Sequence, residues 1–236
     1  MDELMQEIKK LLSGYTNTRN FSYISSIDKK AIRPCIIRSN TLTTKEQISS
    51  LITNEPKTII DFRIKKEGGG KQNLAYPHME IIHLPIPFGN MNIDIIKKLL
   101  IDGEIEKIDS FMESGYRTFS SDFKQEIQIF FWLLLDSGNL PVIFHCSAGK
   151  DRTGIFSVLF LLALGISEDD AIYDYMLTNE KIAIDGNQKL DILFKVKRDW
   201  IVVFLEEINE QYGSIESYLN DEIKVDIKKL RALYYI

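Results

Sequence analysis

The sequence has only two cysteines, Cys35 and Cys146, among its 236 residues. That excludes a disulfide framework. A single pairing of the two stays open at this stage, and cysteine usage leaves the redox compartment open as well. Six prolines and 13 glycines are too few for a collagen-like or low-complexity chain. Long apolar runs are missing too. The strongest, Ile155 to Ile166, is too short to span a bilayer and is interrupted by Ser157 and Gly165. The opening Met1-Asp2-Glu3 lacks the cationic and apolar regions of a signal peptide. The expectation is a cytoplasmic protein, or a secreted one if a leader has been removed. Positive charge is in deficit, with 29 Lys and Arg against 34 Asp and Glu for a formal net charge of −5. Broad nucleic-acid binding needs a basic face and is disfavoured. A small basic pocket for an anion is still allowed.

What remains is ordinary globular material, 44% apolar and 27% charged, long enough for one core. No internal repeat or composition break divides the chain, so residues 1–236 read as a single domain. Leu4, Met5, Ile8, Leu11 and Leu12 share one helical face, suited to the domain's own core, a partner or a membrane surface. Residues 31–38 read as an irregular strand. A helix capped by Thr43 or Thr44 runs through about residue 53, with Gln47 in capping-box position to Thr44. Thr58 to Arg63 is a β-branched run that ends in charge, and Ile81 to Ile86 is a second short strand. Residues 91–135 carry helical stripes, and the more polar stretch 101–122 between them suits a lid over about 90–122. Pro141 to Phe144 is a buried strand, followed by an apolar helix from about residue 152. Further helices are expected at about 168–179, 187–212 and 221–233. Strands alternating with helices predict an α/β fold with a central, mostly parallel sheet flanked by helices.

One stretch carries chemistry: His145-Cys146-Ser147-Ala148-Gly149-Lys150-Asp151-Arg152-Thr153-Gly154. It lies where a buried strand turns into a helix. A helix N-terminus offers unpaired N–H groups and partial positive charge. A tight loop entering it can aim successive N–H groups inward at an anion. Gly149 allows a close backbone approach or an unusual φ. Arg152 can return its planar fork to the same anion. Five residues between Cys146 and Arg152 suffice to circle one tetrahedral oxyanion, so phosphate or sulfate is the expected occupant. The same field favours a Cys146 thiolate, and a thiolate facing phosphate is a nucleophile aimed at phosphorus. His145 is placed to stiffen the loop through the backbone. Thr153 is placed to hydrogen-bond the sulfur.

This segment resembles the signature loop of the cysteine-dependent protein tyrosine phosphatases, in the Gly-Lys-Asp-Arg-Thr-Gly form of a bacterial branch. Short segments elsewhere resemble that branch in the same order: Asn17-Thr18-Arg19-Asn20-Phe21, Arg38-Ser39, Ile59-Ile60-Asp61-Phe62-Arg63 with Glu67 following, and Asp174-Tyr175-Met176-Leu177-Thr178-Asn179. Ser22-Tyr23 stand where the branch has Gly-Gly, and Asn20 replaces an Asp. The resemblance implies a phosphatase fold, with Cys146 as nucleophile and Arg152 as phosphate clamp. Ser147, Ala148, Gly149, Lys150 and Asp151 would form the backbone cradle, with Thr153 and Gly154 closing it. It implies phosphomonoester hydrolysis in two steps through phosphocysteine, with neither metal nor other cofactor. The substrate would be a phosphorylated protein, carrying phosphotyrosine or also phosphoserine and phosphothreonine, or a phosphoinositide lipid. Rival readings are a phytase-like inositol polyphosphatase, a silent phosphate-binding module, and a sulfur-transfer or arsenate-reducing enzyme.

A leaving phenol oxygen needs a proton. Neither Trp132 nor Trp200 precedes Pro-Asp, so the eukaryotic Trp-Pro-Asp loop is missing. Asp151 is the first candidate acid and Asp61 the second, with Asp102, Asp109 and Asp122 able to reach in from a lid. Asp151 also suits a purely structural role in a helix's first turn. Lys150 adds charge at the rim, either for substrate or as a solvated side chain. Gly68-Gly69-Gly70-Lys71 fails the nucleotide-loop spacing and reads as a turn. His78 and His83 lack metal-ligand spacing. Cys35 is either an inert buried thiol or a redox partner for Cys146.

Overall fold

A computed structural model describes residues 16–25, 29–41, 56–70, 79–88, 93–181, 191 and 194–236. The apolar face of residues 2–12, the helix expected before residue 53, Lys71 and His78 lie outside the described residues.

Five strands form one sheet: β1 (Arg19–Asn20), β2 (Ile36–Ser39), β3 (Thr58–Asp61), β4 (Glu80–His83) and β5 (Val142–His145). Their order is β1-β2-β5-β3-β4, antiparallel only between β1 and β2. β5 is therefore central, with Ser39 and Asp61 on either side of His145. All residues of β2, β3 and β5 are buried, as continuous apolar runs in parallel sheets must be. This is the mixed α/β architecture expected. β2 starts later than the sequence pattern suggests. Pro34 and Cys35 form a turn, and Ile32 instead bridges to Tyr235 near the C-terminus.

Seven α-helices of eight or more residues are described. They are α1 (Ile93–Asp102), α2 (Ile105–Asp122), α3 (Lys124–Leu135), α4 (Asp151–Leu164), α5 (Glu168–Met176), α6 (Arg198–Tyr212) and α7 (Ile227–Tyr234). Helix α4 is apolar on all faces and runs through the core, its Phe156 stacked on Phe62 at 4.3 Å and against Phe130 at 4.7 Å. The polar-looking stretch 105–122 turns out to bury Ile108, Met112, Tyr116 and Phe119, and α2 packs along α6. A single helix over 187–212 is not what forms. The backbone leaves helical form at Lys195 to Lys197, where the Asn179 side chain takes both polar groups of Val196, accepting its N–H at 2.8 Å and donating to its carbonyl at 2.9 Å. Those bonds replace the intrahelical ones, and α6 begins only at Arg198.

The sheet register also decides the cysteine question. Cys35 lies before the pair Ile36–Val142 and Cys146 lies beyond the pair Ser39–His145. Five strand positions separate their levels, roughly 16 Å at strand rise. A disulfide needs Cα atoms within about 7 Å, so the two thiols cannot join within one chain. Burial pushes the Cys35 thiol up to about 11, which further removes it from redox chemistry.

Candidate active site

The loop 146–150 leaves the C-terminal end of β5 and enters α4 at Asp151. Its carbonyl oxygens are held from outside one after another. Cys146 O accepts from His145 Nδ1 (3.1 Å) and Thr41 Oγ1 (3.4 Å). Ser147 O accepts from Thr41 N (3.1 Å). Ala148 O accepts from Asn17 Nδ2 (3.4 Å), and Gly149 O from Asn17 Nδ2 (2.8 Å) and Arg38 (2.9 Å). In a trans peptide the N–H points opposite its C=O. Pinning the carbonyls outward therefore turns the following N–H groups inward, toward Cys146. Gly149 N–H donates to Cys146 Sγ at 3.2 Å. The result is a concave nest of donors around a buried sulfur at a helix N-terminus.

Gly149 is indispensable to this shape. Its φ is +67°, and a Cβ there would meet the backbone of Ser39 and Asn40 at 2.7 Å. Thr153 departs from expectation, since its buried hydroxyl has no hydrogen-bond partner among the described residues, the sulfur included. His145 is buried, and burial outweighs the attraction of Asp61 to hold its imidazole below the usual value. With a carbonyl as partner, Nδ1 must be the protonated nitrogen.

Arg152 reaches back over the loop. It donates to Phe62 O and Ile86 O, and its fork grips Glu67 through 2.7 Å and 2.6 Å bonds. Ser147 Oγ donates to the same carboxylate at 2.7 Å. Burial alone would raise the Glu67 carboxyl, but Arg152 and Ser147 hold it below the usual range. Glu67 sits on a single 3₁₀ turn, Lys65–Glu67, and also accepts from Ile64 N–H. The sequence marks Glu67 only through the family resemblance and gives it no role, because Ile64 is not a capping residue type and no local pattern ties this turn to the loop.

Behind the loop lies a buried polar network. Asp174 accepts from Arg19 at 2.9 Å, and from Arg38 and Tyr23. Arg19 also bonds Asn17, which with Arg38 holds Gly149 O. Burial would raise the Asp174 carboxyl, yet the two arginines outweigh it and keep it below the usual carboxylate range.

The candidate acids separate clearly. Asp61 is committed to Arg63 through two side-chain bonds of 2.9 Å and to the N–H groups of Arg63 and Gly70. Its Oδ1 is 3.9 Å from His145 Nε2. Asp109 is taken by Trp200 Nε1 (2.8 Å) and Lys197 (2.7 Å), while Asp102 and Asp122 are exposed at helix ends. Asp151 stands in the first turn of α4, accepting from the Tyr116 hydroxyl at 2.9 Å, with Lys150 Nζ at 3.3 Å from its other oxygen. Lys150 itself is buried and turned toward Lys195 O and the face of Trp200. His83 bonds Arg63 O, and no group of residues suited to a metal occurs among the described residues.

A cysteine set in a nest of backbone donors at a helix start, with Arg152 in that helix's first turn, accords with what the whole chain shows: the protein belongs to the tyrosine phosphatase family, whose model matches residues 10–235. It is a protein tyrosine phosphatase, an enzyme of phosphotyrosine hydrolysis. Among its relatives is a protein of Cupriavidus necator assigned by name to the tyrosine-protein phosphatases, 26% identical over 189 residues, covering 75% of this chain and 68% of the relative. Another is the triple specificity protein phosphatase PtpB of Mycobacterium tuberculosis, 27% identical over 135 residues, 47% of this chain and 49% of the relative. The crystal structure of P. aeruginosa TpbA aligns over 85% of this chain and 86% of that one, with a TM-score of 0.35 and 14% identity, too distant to add to the assignment. Among the described residues no helix is long and apolar enough to cross a membrane.

Proposed function

We propose that the chain hydrolyses phosphotyrosine through a phosphocysteine formed on Cys146. The observation that carries this reading is the outward fixing of four successive loop carbonyls, which leaves N–H donors converging on a buried sulfur. Phosphate enters the nest, and Arg152 shifts part of its fork from Glu67 to the phosphate oxygens. The Cys146 thiolate attacks phosphorus, and the S–P bond forms as the P–O bond to the phenol breaks. Asp151 gives its proton to the leaving oxygen. Water then attacks phosphorus, the thiolate departs, and the Asp151 carboxylate takes the proton from water. Ser147, Ala148, Gly149 and Lys150 contribute backbone donors, while Thr153 and Gly154 complete the first turn. Asp61 serves from outside, holding Arg63 and facing His145.

Phosphoserine, phosphothreonine and phosphoinositides belong to the same proposal as further substrates. The triple specificity in the name of the M. tuberculosis relative supports testing that breadth. The test is a panel of aryl phosphate, phosphopeptides, phosphoinositides and inositol hexakisphosphate on wild type and Cys146→Ser. The proposal expects turnover of aryl phosphate and phosphotyrosine by wild type and loss of about 10⁴-fold or more in the variant. Comparable turnover by the variant would sink it. Preference for inositol hexakisphosphate would favour the phytase-like reading.

A further inference from the structure

Two buried tyrosines outside the signature loop converge on Asp151. Tyr116, from α2, and Tyr175, from α5, are both fully buried. The Tyr116 hydroxyl donates to Asp151 Oδ1 at 2.9 Å, and its oxygen lies 2.8 Å from the Tyr175 hydroxyl. A phenol has one proton to donate. Since that of Tyr116 goes to Asp151, Tyr175 is the donor in the second bond, and the chain runs Tyr175 to Tyr116 to Asp151. Gly154 sets the start of this chain, because a Cβ there would come within 2.8 Å of the Tyr175 ring. Trp200 of α6 packs on Tyr116 at 5.8 Å. The charged groups facing Asp151 are the Lys150 ammonium, 3.3 Å from Oδ2, and the neighbouring Arg152.

We infer that Tyr116 is a positioning residue for the proton transfer to the leaving group. Its hydroxyl, oriented by Tyr175, occupies Asp151 Oδ1. That leaves Oδ2 to carry the proton that passes to the substrate oxygen as the P–O bond breaks. Lys150 steadies the carboxylate that remains. Helix α2 thereby takes part in the reaction through a hydrogen bond rather than by opening and closing. The inference rests on Asp151 being the acid.

The test compares kcat/KM for p-nitrophenyl phosphate, a good leaving group, with phenyl phosphate, a poor one. Tyr116→Phe should lower the value for phenyl phosphate about tenfold and that for p-nitrophenyl phosphate less than about twofold, with inorganic phosphate inhibition unchanged. Tyr175→Phe, which keeps the ring on Gly154, should act in the same direction and less. Asp151→Asn should lose about a hundredfold on phenyl phosphate. Tyr116→Phe added to it should then cost nothing further on the ratio of the two substrates. If Asp151→Asn shows the leaving-group effect and Tyr116→Phe lowers both substrates equally or neither, Tyr116 is packing alone and the inference is overturned while the acid stands. If Asp151→Asn also lowers both equally, the acid assignment itself falls, and the positioning role with it. Thermal melting of each variant separates loss of fold from loss of chemistry.

Discussion

At the scale of single residues, the loop depends on contacts that polarity alone does not reveal. Gly149→Ala forces a side chain into the left-handed region and against the backbone of β2. The expected outcome is a loss of about 2 kcal/mol or more in stability, read by denaturant unfolding, and phosphatase activity near background. Glu67→Ala removes the carboxylate that aims Arg152 and anchors Ser147. A fall in kcat/KM of about tenfold or more is expected with the fold intact, and unchanged kinetics would show that Phe62 O and Ile86 O hold the guanidinium well enough. Cys146, Gly149 and Arg152 were legible in the sequence because their types and spacing answer to one anion. Glu67 was not, since nothing local says that a turn eighty residues earlier ends on the loop. Lys150 also escaped, because its side chain is claimed by Trp200 and Lys195, far along the chain.

Among the elements, strand ends and helix starts do the positioning. β2, β5 and β3 finish level with one another, bringing Ser39, His145 and Asp61 side by side. The polar network of Asn17, Arg19, Arg38 and Asp174 then ties β1, β2 and α5 to the loop carbonyls. Asp174→Asn leaves two buried guanidinium groups facing a neutral amide. A destabilisation of about 3–5 kcal/mol is expected in urea unfolding, well beyond that of a surface aspartate such as Asp122. Equal effects of the two substitutions would show that the network is dispensable. The parallel strands were readable as β-branched runs, and α4 as an apolar helix. The buried face of α2 was hidden among Glu, Lys, Ser and Asp, because only four or so of its eighteen residues reach the core as large apolar groups. The break before α6 depends on the Asn179 side chain, a tertiary contact that periodicity does not register.

For the molecule as a whole, the charges around the site set its response to acid. Asp174, Asp61 and Glu67 are held below the usual carboxylate range, in each case by arginine partners that overcome burial, and burial keeps His145 neutral. The folded state therefore binds fewer protons than the unfolded one as pH falls. Stability should be full near neutrality, begin to weaken as histidine charges, and drop steeply below about pH 4, when these carboxylates are forced to protonate. Melting temperature followed from pH 7 to pH 3 checks this, and a flat profile would contradict it. The acidity of the chain is thus compatible with an anion site, since the positive field is local, made of backbone donors, a helix start and Arg152. In the proposed mechanism phosphorus passes through Cys146. Rapid acid quench of wild type turning over an aryl phosphate, followed by peptide mass analysis, tests it most directly. A phosphate adduct is expected on the peptide carrying Cys146, absent from Cys146→Ser. Full turnover with no adduct at Cys146, or an adduct on another residue, would contradict it.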